Sequence, residues 1–306
     1  MQNSPFEVLI IGGGPAGLSA ALYMARYNRS TAVFDTGRGR STWHQINHNY
    51  LGFPGGVSAR RLRELAYEQL AEYPHVTIFD HKIEHVRYDH ECFIAEGQAG
   101  TWQGSVVILA TGVLDHYPHF DGWASYVGRS LFWCITCDGY SCQGCPVVVT
   151  GATNATASLA LQLQRFTNRI TLLTDSHTHE FSTAFLGRLE RARIPVIVDK
   201  IAAVEGTDGQ FEALTTIGNQ RIELARMFSF QGQTPQSELA RQLGVPCTVA
   251  GFIVVDTEQK TNVAGIYAAG DVTRLHSHQI TTAVHEGGQA ANAANYFLYP
   301  PDLKDD

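Results

Sequence analysis

Apolar residues in this chain gather in short unbroken runs. Phe6–Ile11, Thr31–Phe34, Ser105–Ala110, Val147–Thr150 and Ile170–Leu173 are rich in β-branched residues and show no polar alternation. That pattern predicts strands buried on both faces, as in a parallel sheet. Between the runs lie segments of helical period or composition: Leu18–Arg26, Ser58–Glu72, Leu159–Phe166, Phe181–Arg193 and the alanine-rich Thr281–Phe297. Further strand-like pieces fall at Val76–Phe79, His81–Tyr88, Cys92–Glu96, Thr101–Gly104, Val196–Val198, Phe211–Thr216, Met227–Phe230, Phe252–Asp256 and Gly265–Val272, with a short helix at Ser237–Leu243. Strands alternating with helices predict an α/β fold. Asp115–Gly122 and Gly244–Pro246 read as linkers.

Two of the strands run into glycine-bearing turns. The first leads into Gly12-Gly13-Gly14-Pro15-Ala16-Gly17 and then a helix. In this context Gly12 permits the tight turn, Gly14 lets the backbone approach a pyrophosphate, and Gly17 lets helix and strand pack closely. Asp35 ends the next strand at the roughly 20-residue offset where an acid takes a ribose hydroxyl. The second turn, Gly151-Ala152-Thr153-Asn154-Ala155-Thr156, repeats the layout with two glycines replaced, and Asp175 falls where its ribose acid would stand. No arginine pair follows Asp175 to receive a 2′-phosphate, so an ordinary NADPH site is not expected there. Ala110-Thr111-Gly112 and Gly270-Asp271 close two other strands, where close approach of a cofactor is permitted. The polar loop 38–56 reads either as a wrap around the cofactor or as a surface loop. The first amides of the last helix could stabilise negative charge on a bound group.

Composition narrows the class. With 306 residues the chain can hold two domains, and 44% hydrophobic with 17% charged residues is ordinary for a globular protein. A net charge of −7 argues against a nucleic-acid-binding face. No stretch is long and apolar enough to span a bilayer, the first residues lack a signal pattern, and the six cysteines do not resemble a secreted disulfide framework. A cytoplasmic setting is the expectation.

The chemistry centres on Trp133-Cys134-Ile135-Thr136-Cys137-Asp138-Gly139-Tyr140. Two thiols at this spacing can close a short disulfide, and Asp138 is placed to shuttle the proton of thiol–disulfide exchange. Cys142 and Cys145 form a second such pair, which leaves a four-cysteine metal site open as an alternative, although the insert is short for a zinc ribbon. Cys92 reads as a small core residue. His276, His278 and His285 cluster in sequence but lack ligand spacing.

The glycine turn at Gly12–Gly17, Ala110-Thr111-Gly112, the Cys134–Cys137 pair with Asp138-Gly139, and Gly270-Asp271 occur in the order found in low-molecular-weight thioredoxin reductases, which the chain resembles over nearly its whole length. The resemblance implies two Rossmann-like, three-layer domains: a discontinuous FAD domain at 1–116 and 246–306, and an insert at 117–245 that carries the redox pair. It implies a homodimer. It implies FAD contacts at Gly12, Gly14, Pro15, Ala16, Asp35, Thr36, Thr111, Gly112, Gly270, Asp271, Gln279 and Ile280. Cys137 would face the flavin, Cys134 would attack the substrate disulfide, and Asp138 would be the acid/base.

The departures from the family pattern are informative. The usual Gly-Gly-Gly-Asp-Ser/Thr-Ala run is altered at 151–156, and a His-Arg-Arg element is missing. This is similar to branches that do not use NADPH: ferredoxin-dependent reductases, deeply rooted reductases and the cyanobacterial diflavin-linked disulfide oxidoreductases. In the last of these a second FAD occupies the former NADPH region, and Gly151 with Asp175 would suit it. A thioredoxin-like protein or a small dithiol is the expected substrate. Two alternatives are carried: a dithiol oxidase that spends electrons on oxygen, a type that tends to have His where Asp138 stands, and a non-catalytic, metal-binding flavoprotein sensor.

Overall fold

The apolar runs pair into two separate parallel sheets. The computed structural model describes residues 5–304 except His44, His119 and Leu275. These fall into two units, one of Met1–Thr42, Ala59–Leu114 and Thr234–Asp306, the other of Trp43–Ser58 and Asp115–Gln233. The mixed α/β fold with parallel sheets expected from the strand–helix alternation is present in both units. Residues 234–245 belong to the first unit and 43–58 to the second.

In the first unit, Val76–Phe79, Thr31–Phe34, Phe6–Ile11 and Gly100–Leu109 lie side by side in parallel, and Ile266–Ala268 pairs with the end of Gly100–Leu109. The first half of Gly100–Leu109 pairs antiparallel with Cys92–Gly97, which pairs with His85–Asp89. Thr101–Gly104 and Ser105–Ala110, read separately above, are therefore one strand. Its polar first half belongs to an antiparallel meander and its apolar second half to the buried parallel sheet. Helices Pro15–Arg26 and Ile280–Leu298 share one core with one face of the sheet. A Cβ on Gly287 would stand 2.1 Å from the Ala16 carbonyl oxygen, so only glycine allows this helix spacing. The opposite face is packed by Phe34, Phe93, Trp102, Leu239 and Ile253.

The second unit holds a five-stranded parallel sheet in the order Leu131–Phe132, Arg226–Ser229, Val147–Thr150, Ile170–Leu173, Val196–Ile197. A three-stranded antiparallel sheet, Ile201–Thr207, Gln210–Thr216 and Arg221–Glu223, adjoins it in sequence. Its first and last strands were not expected, because alanine and charged residues on exposed faces dilute the apolar signal. Phe252–Asp256, expected as a strand, makes only a single bridge at Ile253 with Cys247. Its burial comes from side-chain packing in the first unit's core and not from a ladder.

Candidate functional site

The first candidate site is built by the turn after Phe6–Ile11. Gly12 has φ +117°, and a Cβ there would lie 2.1 Å from the Ala110 carbonyl oxygen. At Gly17 it would lie 1.8 Å from the Gly12 carbonyl oxygen. Gly14 differs: a Cβ would meet nothing within 4 Å, so the space over its backbone is open. Gly14 is also the N-cap of the following helix, makes no side-chain cap bond, and is followed by Pro15 at the first helical position. The amides that begin this helix, Ala16 among them, therefore receive no cap from the N-cap side chain, the arrangement that receives a pyrophosphate.

Asp35 is buried beside this turn, close enough that a Cβ on Gly13 would stand 2.2 Å from its carboxyl carbon. Helix Ala59–Leu70 sends Arg63 and Tyr67, one turn apart, to the same carboxylate. Arg63 Nη2 donates to Asp35 Oδ2 at 2.6 Å, and the Tyr67 hydroxyl donates to the same oxygen. Arg63 Nη1 also donates to the Gly13 carbonyl at 2.8 Å. Burial, aided by the bond to Asp35, pushes the Tyr67 hydroxyl up to about 12. The amide of Gly37 donates to Asp35 Oδ1. Thr36 is exposed next to it.

The Gly270-Asp271 turn belongs to the same unit. Gly270 has φ +81° and its amide donates to Glu286 Oε2 at 2.7 Å. Glu286 is 1% exposed and forms an ion pair with Arg274. Asp271 is held by Arg40 Nη1 at 2.7 Å, and that nitrogen lies 2.9 Å from His278 Nδ1. Gln279 is the N-cap of the last helix, without a side-chain cap bond, and Ile280 begins it. Thr111 Oγ1 donates to the Gln236 carbonyl at 2.6 Å, and Gly112, at φ +68°, accepts from the Gln236 amide. The residues of this unit fit a flavin dinucleotide on the open amides after Gly14.

In the second unit, Cys134 and Cys137 are disulfide-bonded across one helical turn, Ile135–Asp138, with Cα atoms 5.3 Å apart. The Cys137 amide donates to Cys134 Sγ at 3.2 Å, a contact that favours a thiolate on Cys134 after reduction. Asn49 Nδ2 lies 4.0 Å from Cys137 Sγ. Asp138 is 5% exposed, and both of its oxygens accept from Gln45 Nε2, at 2.9 and 2.8 Å. Burial pushes this carboxyl up to about 7, against the lowering effect of Gln45. Its protonation is thus balanced near neutral pH, where a group can both accept and donate a proton. Cys142 is fully buried, donates to the Asp138 carbonyl, and has its thiol pushed up to about 11 by burial. Among the described residues, no group of three or more His, Cys, Asp or Glu is arranged to hold a metal.

The second glycine turn has the same backbone as the first but different surroundings. Gly151 has φ +139°, and Thr153 is an N-cap whose hydroxyl lies 3.4 Å from the Thr156 hydroxyl and makes no cap bond. Thr156 is fully buried and its hydroxyl donates to the Phe230 carbonyl at 3.1 Å. Asp175, at φ +48°, accepts from the Ile201 amide at 3.0 Å and from Gln231 Nε2 at 2.8 Å. Its carboxylate therefore ties together the ends of three segments of its own unit.

An α/β chain with a dinucleotide turn in one unit and a Cys-x-x-Cys disulfide beside a buried carboxyl in the other has the build of a flavin-dependent disulfide oxidoreductase. The chain belongs to the family described as "Pyridine nucleotide-disulphide oxidoreductase", which matches residues 6–287. It is 30% identical to a thioredoxin reductase of Treponema pallidum, over 97% of this chain and 98% of that one. It is 29% identical to a thioredoxin reductase of Peptoclostridium acidaminophilum, again over 97% and 98%. The solved thioredoxin reductase of Streptococcus pyogenes shares the fold with a TM-score of 0.89 at 24% identity, over 97% of this chain and 99% of that one. No described helix is long and apolar enough to cross a membrane.

Sequence reasoning did not single out Gln45, Arg40, Arg63 or Glu286. Arg40 and Gln45 sit inside the 38–56 loop, where no periodicity marks a side chain. Glu286 carried a signal: a carboxylate in an alanine- and glycine-rich helix face needs a buried partner.

Proposed function

We propose that the chain is an FAD-dependent disulfide oxidoreductase of thioredoxin reductase type that passes electron pairs between flavin and Cys134–Cys137 without NADPH. The observation that carries this reading is the contrast between the two turns, open over Gly14 and altered at Thr153 and Thr156. Gly12, Gly14, Pro15 and Ala16 would hold the pyrophosphate; Asp35, Thr36, Thr111, Gly112, Gly270, Asp271, Gln279 and Ile280 would line the rest of the group. Bound there, the flavin supplies or accepts two electrons at a time. Reducing the Cys134–Cys137 bond consumes those two electrons and two protons. Asp138 delivers one proton and solvent the other, and the reverse reaction returns them. Cys134, held by the Cys137 amide, attacks the substrate disulfide, and Cys137 then resolves the mixed disulfide.

Relatives named thioredoxin reductase support a thioredoxin-like protein as substrate, with a small dithiol as the other class. The electron donor in place of NADPH is a carrier such as ferredoxin. Domain boundaries at 1–116 with 246–306 and at 117–245, a cytoplasmic setting and a homodimer complete the proposal. Anaerobic titration tests it: a dithiol or reduced ferredoxin should bleach the flavin, and rapid bleaching by NADPH would refute the NADPH-independent part. Gly151 and Asp175 favour one extension, a second FAD in the altered turn. A ratio of two flavins per chain supports it and a ratio of one removes it.

A further inference from the structure

We propose that Gln45 is a positioning residue for Asp138, fixing the carboxyl beside Cys134–Cys137 for thiol–disulfide exchange. The inference rests on the acid/base role given to Asp138 above and adds the group that governs it. Three observations carry it. First, one Gln45 nitrogen lies 2.9 and 2.8 Å from the two carboxyl oxygens of Asp138, which is 5% exposed. Second, the fold delivers Gln45 from both sides. Trp43 packs against Trp133 with ring centroids 4.9 Å apart, and Ile46–Asn47 pairs antiparallel with Val57–Ser58. Third, a space is cut for its backbone: Gly128, at φ +69°, would place a Cβ 2.5 Å from the Gln45 nitrogen and 2.7 Å from its Cα.

The chemistry follows from the donor. An amide NH2 only donates, so placing it on both oxygens favours the carboxylate over the acid. Burial favours the acid. Their opposition leaves the group near about 7. The titratable groups around it are the Cys142 thiol, which donates to the Asp138 carbonyl, and the adjoining Cys134 and Cys137 once reduced. Arg226 and Cys145 act on Cys142 in turn. Gln45 is the charge-neutral neighbour whose replacement can move Asp138 either way.

The test is a carboxyl 13C titration of the oxidised holoenzyme labelled at aspartate, with the Asp138 signal assigned by its loss in Asp138→Asn. Gln45→Leu should raise the Asp138 midpoint by about one pH unit, the loss of one charge-assisted bond. Gln45→Lys should lower it. The pH profile for reduction of Cys134–Cys137 by dithiothreitol should follow each shift and lose its inflection in Asp138→Asn. Midpoints that stay put, or that move the same way in both variants as loosened packing would make them, overturn the proposal. If Gln45→Leu does not fold, the sign of the Gln45→Lys shift decides. Midpoints that move as expected while every pH profile stays flat would overturn the acid/base role of Asp138, and with it this use of Gln45, while leaving the flavin assignment intact.

Discussion

Asp138→Asn should make the oxidised protein more stable at high pH while slowing its chemistry. Asp138 is buried, and burial carries its carboxyl from the ordinary 3.8 to about 7. At 1.36 kcal/mol per pH unit, that difference corresponds to about 4 kcal/mol between the two protonation states. The sign follows from proton counting. Between pH 4 and 7 the folded protein keeps the proton that the unfolded chain has already lost, so stability falls as pH rises. Above about pH 7 both states are ionised and the loss is complete. Asparagine has nearly the same shape and never ionises. It places an NH2 against the NH2 of Gln45, which costs roughly 1–3 kcal/mol at every pH if no rotation relieves it.

The difference in stability, variant minus wild type, should therefore climb by about 4 kcal/mol from pH 4 to pH 8 and level off. Amide hydrogen exchange across the strands Leu131–Phe132 and Val147–Thr150 reads this locally, which avoids treating a two-unit chain as two-state. A difference that is flat over this range, or that grows toward acid, would refute the assignment of a buried, protonatable carboxyl at Asp138.

Glu286→Ala strips the acceptor from the buried Gly270 amide and leaves Arg274 without its ion-pair partner. It should cost about 2–4 kcal/mol and release flavin on gel filtration, whereas Glu286→Gln, which keeps an acceptor, should retain it. Thr156→Gly removes a buried hydroxyl bonded to the Phe230 carbonyl and adds a glycine inside a helix. The expected cost is about 2 kcal/mol, read from urea unfolding followed by a probe in the second unit. Cys137→Ser should accumulate a mixed disulfide between Cys134 and a thioredoxin-like substrate, visible as a mass increase, and Cys134→Ser should not.

Most strands of both parallel sheets were legible because burial on two faces leaves an uninterrupted apolar run; Leu131–Phe132, two residues long, was not. Phe6–Ile11, Thr31–Phe34, Val147–Thr150 and Ile170–Leu173 have the bounds expected of them. The antiparallel pieces were harder. Ile201–Thr207 has one exposed face and two register irregularities, so neither continuity nor alternation marks it. At the redox turn, Cys134, Cys137 and Asp138 declared themselves by spacing. Gln45 did not, because it lies 93 positions from Asp138 and nothing local to either residue reports the contact. Arg63 and Tyr67 were read as part of an amphipathic helix, which they are, and their common target at Asp35 emerges only once that helix is placed.

The two glycine turns act as controls for each other. At their first positions, Gly12 and Gly151 both have positive φ, and a Cβ would meet a carbonyl oxygen at 2.1 Å in one and 2.4 Å in the other. What the two turns share is therefore architectural, required to bring a strand into a helix whatever binds there. They differ at the other two positions. Gly17 lies so close to the turn that no side chain fits, while Thr156 occupies the equivalent place and reaches across to Phe230. A threonine there wedges the helix start against the neighbouring strand end, and Thr153 adds a side chain where Gly14 has none. Both changes alter the turn itself, while the acids after the two turns are alike in accepting bonds from their own units, Asp35 from Arg63, Tyr67 and Gly37 and Asp175 from Ile201 and Gln231. The first turn thus keeps glycine at all three positions, whereas the second keeps it only where the strand-to-helix turn itself requires it.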